Sequence, residues 1–541
     1  MEGHKSKGGI GLLQLALGKM YHNPLVIFRE YIQNACDGLE DAVRSHIIEN
    51  DEKNILITIN RSRHQIVFED KGVGVSSSKI GETLVDIGNS QKTDEQIGQY
   101  GIGRLIAAKY CDRIVFETSY QGESSMSILT WETKKAFDLI ESKGENDFTK
   151  IIDKVTNYKS VKEEPGQHYF RVTLDNVNDY GLLEESKVYD YIAQTAPVDF
   201  SFEYKDELMR PALDGQPEYK QLMSAERSYR ITLNDRDVRK LYESEVNNVK
   251  LTPPQFFSIS DVNYGLMAWG WYSLPLNITE MNDSHFRGIR LRKYNMAIGL
   301  ESILTEYFPK PVDAFHFTGE IYLVHKGIEP SGSRDGIGFS QVANVFKSEL
   351  KEKCQQLHDL YAKVYRFGND YLKKLSDGVI ELQNDEAKLK QETNKEERKK
   401  IRNSIKQLKE EIGAKVQEMN SKKDDLKVIE GSEELIKSIT DYNDRVQKDK
   451  VEKYNSAKGR DKKSQVKTIK IEQISEEFKG NDETIDEDAE QKNEIDPLNR
   501  LSEQTRRIIL AVKKVIDSET TLTDQIRERL MKNILRKVQN K

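Results

Sequence analysis

The stretch FREYIQNACDGLEDA, residues 28–42, predicts a helix with charged and amide side chains on its polar face. Glu30, Asn34 and Asp37 are spaced i, i+4 and i+7, so they share one side of that helix. Such a stripe is typical of a solvated surface, or of a site in which a carboxylate orients a water and an amide oxygen binds Mg²⁺. Since Mg²⁺ keeps several waters and phosphates as ligands, Asn34 would suffice as its protein ligand.

A predicted β-hairpin follows this helix. Hydrophobic residues alternate with polar ones over residues 55–59, and residues 66–68 form the returning strand. The hairpin ends at Asp70, with Gly72 and Gly74 close behind it. This arrangement fits a tight turn. It also fits an adenine site, in which the carboxylate accepts the exocyclic amine and the glycines let the backbone approach the base.

A third motif, GQYGIG at residues 98–103, precedes an apolar helix. Its glycines, Gly98, Gly101 and Gly103, expose backbone N–H groups where the helix dipole attracts anions. Together with Lys92, the segment is either a flexible loop or a lid over phosphates. The spacing G-x-x-G-x-G, without a strand immediately before it, argues against a dinucleotide site, and no Gly-Lys-Ser/Thr indicates a phosphate loop.

The composition of the whole chain excludes several classes of protein. The 541 residues carry a formal net charge of −7, and 37% of them are hydrophobic. Cys36, Cys111 and Cys354 are too few and too scattered for a disulfide framework or a zinc site. No apolar run approaches the ~18 residues of a membrane span, and the polar start is unlike a signal peptide. We therefore expect a cytoplasmic, multidomain protein without a membrane partner.

The order of these elements predicts an α+β fold over residues 1–180, with helices on one face of a mostly antiparallel sheet. A second α/β unit follows over residues 181–340. Residues 341–447 contain no proline and repeat apolar residues at 3-4 spacing, which predicts a helical coiled coil. This region is either one long helix or two antiparallel arms hinged near Glu392–Glu397.

The C-terminal residues are highly charged. Residues 448–470 hold nine Lys or Arg against three acids, and residues 476–496 hold ten acids against two lysines. Opposed blocks of this kind are typical of a flexible linker, which we assign to residues 448–497. Apolar periodicity returns over residues 498–541 and predicts C-terminal helices that form a dimerisation hairpin.

Taken in order, these motifs resemble those of the GHKL ATPases, the superfamily of gyrase, heat shock protein 90, histidine kinases and MutL. The heat shock protein 90 family is the most similar. The resemblance rests on four ordered segments: HNPLVIFREYIQNACDGL, FEDKGVGV, IGNSQKT and IGQYGIGRLIAAKYCDRIVFET. It covers about residues 10–340, and it implies an ATP-binding Bergerat sandwich followed by a middle domain.

The resemblance also implies a role for each site residue. Glu30 resembles the general base, Asn34 the Mg²⁺ ligand, and Asp37 a residue that supports the metal's waters or the helix. Asp70 resembles the adenine contact. The remaining residues would surround the base or the phosphates: Gly72, Gly74, Lys92, Gly98, Gly101 and Gly103.

Two further segments extend the resemblance. GEIYLVHKGIEPSGSRDGIGF, residues 319–339, resembles the middle-domain loop whose arginine reaches the γ-phosphate, which makes Arg334 the candidate. Its alternative is a surface turn in which Arg334 pairs with Asp335. In PGQHYFRVTL, His168 occupies the closest register to the threonine that usually backs the adenine carboxylate, so we expect a differently shaped pocket.

The function implied by the resemblance is a Mg²⁺-dependent ATPase of the heat shock protein 90-like type. It would act as an ATP-driven homodimeric clamp with chaperone-like activity on protein clients or a partner protein. The alternative is a nucleic-acid-associated clamp of the MORC type, for example in genome defence. The basic residues 448–470 favour that alternative, because Lys and Arg bind nucleic-acid phosphates.

Overall fold

The computed structural model describes most of the chain up to residue 478 and a few positions near the C-terminus. The described residues are 23–86, 103–142, 148–246, 249–276, 281, 285, 287–427, 432–457, 465–478, 512–514, 530, 533 and 534. Within these ranges, no helix is long and apolar enough to cross a membrane.

Eight strands of the described residues form the first sheet, in the spatial order β5-β4-β3-β6-β2-β1-β7-β8. The strands are β1 (Asn54–Asn60), β2 (Gln65–Asp70), β3 (Cys111–Ser119), β4 (Ser125–Trp131), β5 (Thr156–Lys162), β6 (Tyr169–Val177), β7 (Arg230–Leu233) and β8 (Arg236–Asp237). β1 and β2 pair antiparallel with Ile57 opposite Phe68, which confirms the predicted hairpin. Buried and exposed residues alternate along β1, so only one of its faces enters the core.

Helices cover that buried face. They are α1 (Val26–Arg44), α2 (Thr133–Glu141), α3 (Phe148–Val155) and α4 (Glu185–Thr195). The Phe28 ring of α1 lies 5.4 Å from the Phe68 ring of β2, and Ile192 of α4 is buried in the same hydrophobic core. The predicted α+β fold, with helices packed on a largely antiparallel sheet, is confirmed. We call this sheet with its helices the N-terminal domain.

β7 and β8 come from residues 230–237. The first sheet therefore contains strands from both sides of the predicted domain boundary at residue 180. β7 runs parallel to β1. A parallel pair needs a long crossover connection rather than a tight turn, and α4 lies within that connection. The alternation of residues within a strand predicts the strand itself but does not show which distant strand pairs with it.

The second sheet forms the middle domain. Its five strands, counted over the described residues, have the order β11-β12-β15-β13-β14. They are β11 (Gln255–Asp261), β12 (Gly265–Ser273), β13 (Gly288–Lys293), β14 (Met296–Ile298) and β15 (Thr318–Leu323), after a small ribbon of β9 (Glu245–Val246) and β10 (Val249–Lys250). One face packs on the long helix α8 (Gln341–Tyr365) through Phe346 and Leu350.

The other face of the second sheet carries an aromatic cluster. Trp271 of β12 packs there against Phe200 and Tyr204, which lie in the segment that connects β6 to β7 of the first sheet. Three short helices belong to the same segment: α5 (Phe202–Tyr204), α6 (Arg210–Asp214) and α7 (Pro217–Ala225).

The long helices that follow form an antiparallel bundle. α8 runs through a π-helical segment into α9 (Lys374–Gln391), and α10 (Lys395–Lys427) returns beside it. The Tyr371 hydroxyl donates to Glu418 at 3.0 Å across the pair, and Lys409 lies 3.6 Å from Glu386. The structure thus decides between the two alternatives in favour of two antiparallel arms, with the turn after Gln391.

A third helix corrects the predicted start of the flexible linker. α11 (Ser432–Ala457) includes residues 448–457, where Val451 is buried and Lys450 pairs with Asp377 at 2.8 Å. A short helix, α12 (Ile471–Glu477), packs on the bundle through Ile474. Residues 458–464 and 479–497 of the predicted linker, and nearly all of the predicted hairpin 498–541, lie outside the described residues.

Candidate active site

The polar stripe of α1 is buried rather than solvated. Glu30 is 8% exposed and Asp37 is 4% exposed, while Asn34 is half-buried. Burying a charged group without partners costs free energy, so charged side chains at such positions are paired or functional. This burial favours the site interpretation of the stripe over the surface interpretation.

Glu30 lies against the start of the helix that follows the glycine motif. Gly103 begins a 3₁₀ helix, Gly103–Tyr110, and a Cβ added at Gly103 would lie 2.7 Å from Oε2 of Glu30. The Tyr31 hydroxyl donates to the Arg104 carbonyl at 2.9 Å and ties α1 to this segment. The structure therefore brings Glu30 to the place where the sequence predicts bound phosphate.

The other predicted phosphate contacts, Lys92, Gly98 and Gly101, lie outside the described residues. The residues on either side of that segment are joined by a hydrogen bond. The Arg104 guanidinium donates to the carbonyl of Leu84 at 3.3 Å. Leu84 and Arg104, which flank these residues in the sequence, thus lie close together.

The loop that carries Arg334 meets α1. Arg29 of α1 donates through Nη2 to the Ser333 carbonyl at 3.0 Å, and the same nitrogen lies 3.6 Å from Oε1 of Glu30. Arg334 itself is 7% exposed. Burial lowers the pKa of Arg334, and the negative charge of Glu30 opposes that shift. Arg334 is therefore buried within electrostatic range of Glu30, and its role in catalysis stays a prediction.

Arg334 also has an unusual backbone conformation. Its φ is +57°, in the left-handed region that residues other than glycine rarely adopt. Two hydrogen bonds hold it there, one from the Arg334 amide to Ser331 at 2.9 Å and one from the Gly299 amide to the Arg334 carbonyl at 2.8 Å. Strained residues that the surrounding structure holds in place occur frequently at functional sites.

Asp70 occupies the end of β2, paired with Ile55 of β1 and Phe170 of β6. The side chain is buried, and its Oδ1 accepts a hydrogen bond from the Gly72 amide at 2.8 Å. Burial raises the pKa of Asp70 to about 8, although the Gly72 amide opposes the shift. A carboxylate has about four lone-pair positions. Asp70 therefore has capacity for a further donor, such as the exocyclic amine of a base.

Packing explains both glycines after Asp70. A Cβ at Gly72 would lie 2.7 Å from the backbone of Gly38 in α1 and from the Asp70 carboxylate. Gly74 has a φ of +70°, and its Cβ would lie 2.0 Å from the Ser119 carbonyl. The loop is thus pressed between α1 and β3. A role for these glycines in the floor of a base pocket stays a prediction.

The structure adds residues that sequence reasoning missed. Thr118 accepts a hydrogen bond from the Val75 amide at 2.8 Å and donates to the Tyr169 carbonyl at 3.0 Å, so it joins the Asp70 loop to β6. His168, which the sequence already singles out, also reaches this loop: its Nδ1 lies 3.1 Å from the Gly72 carbonyl. Arg29 was also missed. The sequence feature that could have indicated Arg29 is its position beside Glu30 within an otherwise apolar stretch.

Comparison with known proteins agrees with this geometry. Residues 28–164 match the family model described as histidine kinase-, DNA gyrase B-, and HSP90-like ATPase. The chaperone protein HtpG of Rickettsia prowazekii is 27% identical over 177 residues, which cover 29% of this chain and 28% of that protein. HtpG of Shewanella sediminis is 27% identical over 158 residues, covering 26% of this chain and 23% of the relative.

The chain therefore spans less than a third of the length of these relatives. The similarity falls on the N-terminal domain, which carries Glu30 and Asp70. This domain is an ATPase domain of the GHKL type, as the sequence motifs predicted.

Proposed function

We propose that the protein is a Mg²⁺-dependent ATPase of the heat shock protein 90-like type, which works as an ATP-driven homodimeric clamp with chaperone-like activity on proteins. One observation carries the catalytic part of the proposal. Glu30 of the N-terminal domain and Arg334 of the middle domain are buried together, and Arg29 links their two segments by a hydrogen bond of 3.0 Å.

The residues present fit the nucleotide. Asp70 would accept the exocyclic amine of adenine, because a buried carboxyl with raised pKa is stabilised by an added donor. The phosphates would lie at the start of the Gly103–Tyr110 helix, where backbone N–H groups attract anions. Lys92, Gly98 and Gly101 are proposed as further phosphate contacts.

Asn34 would hold Mg²⁺, which supplies charge compensation for the phosphates, and Asp37 would support the surrounding waters. The half-buried amide of Asn34 lies one helical turn from Glu30 on the same face of α1. Glu30 would orient a water for attack on the terminal phosphate and accept its proton. Arg334 would stabilise the negative charge that develops on the phosphoryl oxygens.

The relatives are chaperone proteins, which supports the proposed action on protein clients over the nucleic-acid clamp. The basic block that favoured nucleic acid is partly helical, and Lys450 within it pairs with Asp377. That pairing takes one of its cations away from phosphate binding.

Steady-state ATP hydrolysis by the full chain tests the proposal. We would measure turnover alone, with an unfolded protein and with duplex DNA, with Glu30→Ala as the blank. We expect Glu30→Ala to retain ATP but to lose turnover, and unfolded protein to stimulate the wild type. Stimulation by DNA that fades with salt, with unfolded protein inert, would contradict the chaperone proposal.

A further inference from the structure

A cluster of buried charges lies on the face of the second sheet that is turned towards the N-terminal domain. Lys240, Arg292 and Glu320 are each at most 2% exposed. Lys240 Nζ lies 2.7 Å from Oε2 of Glu320, and Arg292 Nε lies 2.5 Å from Oε1. The Tyr242 and Tyr322 hydroxyls also donate to this carboxylate. The attraction of the two cations holds the pKa of Glu320 low, at about 2, although burial alone would raise it.

Arg292 extends from this cluster to the N-terminal domain. Its Nη2 donates to the Gln194 carbonyl at 2.9 Å, and its Nη1 lies 3.4 Å from the Ala196 carbonyl. These carbonyls belong to the end of α4, where helical carbonyls lack partners within the helix and favour a cation. α4 packs in the core of the N-terminal domain, so one guanidinium joins the two domains.

The same cluster fixes the turn between β13 and β14. Nη1 of Arg292 donates to the Asn295 carbonyl at 2.9 Å, and Lys240 donates to the Asn295 side chain at 2.9 Å. Tyr294 and Asn295 have φ values of 52° and 62°, a two-residue turn that needs support when neither residue is glycine. β14 then leads to Gly299, whose amide donates to the Arg334 carbonyl at 2.8 Å.

Helix α4, which Arg292 contacts, also extends towards the proposed catalytic residues. Tyr191 lies one turn before Gln194 in α4. Burial raises the pKa of Tyr191 to about 12, and the charges of Arg29, Glu30 and Asp335 act on it as well. α4 also packs against α1, the helix that carries Arg29 and Glu30, and Arg292 holds α4 at its C-terminal end.

We propose that Arg292, oriented by Glu320 and Lys240, is a positioning residue for hydrolysis: by holding α4 and the β13–β14 turn together it sets the place of Arg334 relative to Glu30. This inference rests on the proposed function. Stability alone is a poor reason for the cluster, because well-packed apolar side chains usually stabilise a core as well as buried ion pairs do.

Arg292→Lys tests the proposal, because one ammonium cannot reach Glu320, α4 and the turn together. We expect kcat to fall by ~10-fold or more, since a misplacement of about 1 Å costs ~10²-fold. The Kd for ATP should be unchanged, because the proposed nucleotide contacts belong to the N-terminal domain. The matched control is Lys53→Met, which removes another buried ion pair, that with Glu40 at 3.0 Å. An equal loss of kcat in this control would overturn the proposal.

A second variant tests the proposal in case Arg292→Lys does not fold. The triple replacement Lys240→Met, Arg292→Met and Glu320→Leu removes all three charges and should fold, since apolar replacement of a whole buried ionic cluster is tolerated. We expect it to bind ATP and to turn over slowly. Wild-type kcat in either Arg292 variant would show that the cluster is only structural.

Hydrogen exchange gives a readout that does not need activity. In Arg292→Lys, the Gly299 and Arg334 amides should exchange faster than in wild type, whereas Lys53→Met should leave them unchanged. If the wild type hydrolyses no ATP, the proposed function is wrong, and the exchange rates alone decide whether Arg292 positions the loop. Unchanged exchange at Gly299 would overturn the inference.

Discussion

At the scale of single residues, the site is defined by charged side chains that the fold buries. Asp70, Glu30 and Arg334 are each less than a tenth exposed. Burial disfavours the charged forms of Asp70 and Arg334, and such positions persist where a ligand or a neighbouring charge compensates. Arg334 has the charge of Glu30 nearby, and Asp70 has the Gly72 amide. The nucleotide would supply the remaining donor to Asp70.

Asp70→Asn should weaken ATP binding by roughly 10–100-fold, because a hydrogen bond to a charged group contributes about 1.5–3 kcal/mol. Isothermal titration measures this change. Glu69→Gln is the control, since Glu69 is the preceding residue of β2 and pairs instead with Arg171 at 2.8 Å. Unchanged ATP affinity in Asp70→Asn would contradict the adenine assignment.

The same variant should change the pH dependence of stability. Folding raises the pKa of Asp70 from 3.8 to about 8, so between these values the folded chain binds a proton that the unfolded chain has released. The stabilisation is complete below the unfolded pKa and is lost as the pH rises through about 8. Without nucleotide, the free energy of unfolding of the wild type should therefore fall as the pH rises from about 5 to about 9, and that of Asp70→Asn should fall less. Urea unfolding at these pH values measures the difference.

At the scale of elements, the site depends on the close approach of a loop to its neighbours. The loop after β2 contacts α1 through Gly72 and Gly38, and it contacts β3 through Gly74 and Ser119. The Val73 amide donates to the Gly38 carbonyl at 3.2 Å and completes the contact. This packing holds the strand end with Asp70 directly against the helix that bears Glu30 and Asn34.

Three glycine-to-alanine variants distinguish backbone strain from steric crowding of the added Cβ. Gly74→Ala should destabilise the protein by about 2–4 kcal/mol, because a left-handed φ and a clash with the Ser119 carbonyl act together. Gly122→Ala, with a φ of +90° and no atom within 4 Å, should cost about 1–2 kcal/mol. Gly81→Ala has open space and should be nearly neutral. Urea unfolding measures all three, and an equal loss at Gly74 and Gly122 would refute the clash.

At the scale of the whole molecule, the proposed catalytic residues Glu30 and Arg334 come from two different domains. Arg29 and Ser333 are 304 positions apart in the sequence and share a hydrogen bond. The middle domain holds the Arg334 loop through Gly299, and Arg292 connects the same domain to α4. Direct contacts therefore join the two domains at the proposed site of ATP hydrolysis.

Arg334→Ala should retain ATP binding and slow hydrolysis by ~10–10³-fold, the range for groups that stabilise a transition state. Lys326→Ala is the control, because it removes an exposed cation from the same β15–α8 connection. Single-turnover hydrolysis together with nucleotide binding distinguishes the two effects. Wild-type turnover in Arg334→Ala would leave this buried arginine with a structural role alone.

Local patterns in the sequence were sufficient for much of the fold. The hairpin of β1 and β2, the polar face of α1 and the α+β class follow from periodicities of 2 and 3.6 residues, which a short segment carries by itself. The ordered glycine and acid motifs are likewise short segments, and they predict the ATPase domain that the family model matches over residues 28–164. These features are local, so the sequence determined them.

Only the tertiary structure decided which distant residues meet. The parallel pairing of β1 with β7, the antiparallel return of α10 and the Arg292 cluster all join segments far apart in the chain. The sequence left Arg334 open between a surface turn and a catalytic loop, because the residue type is the same in both. The structure shows Arg334 buried within electrostatic range of Glu30, and burial is a property of the packed domains and not of any single segment.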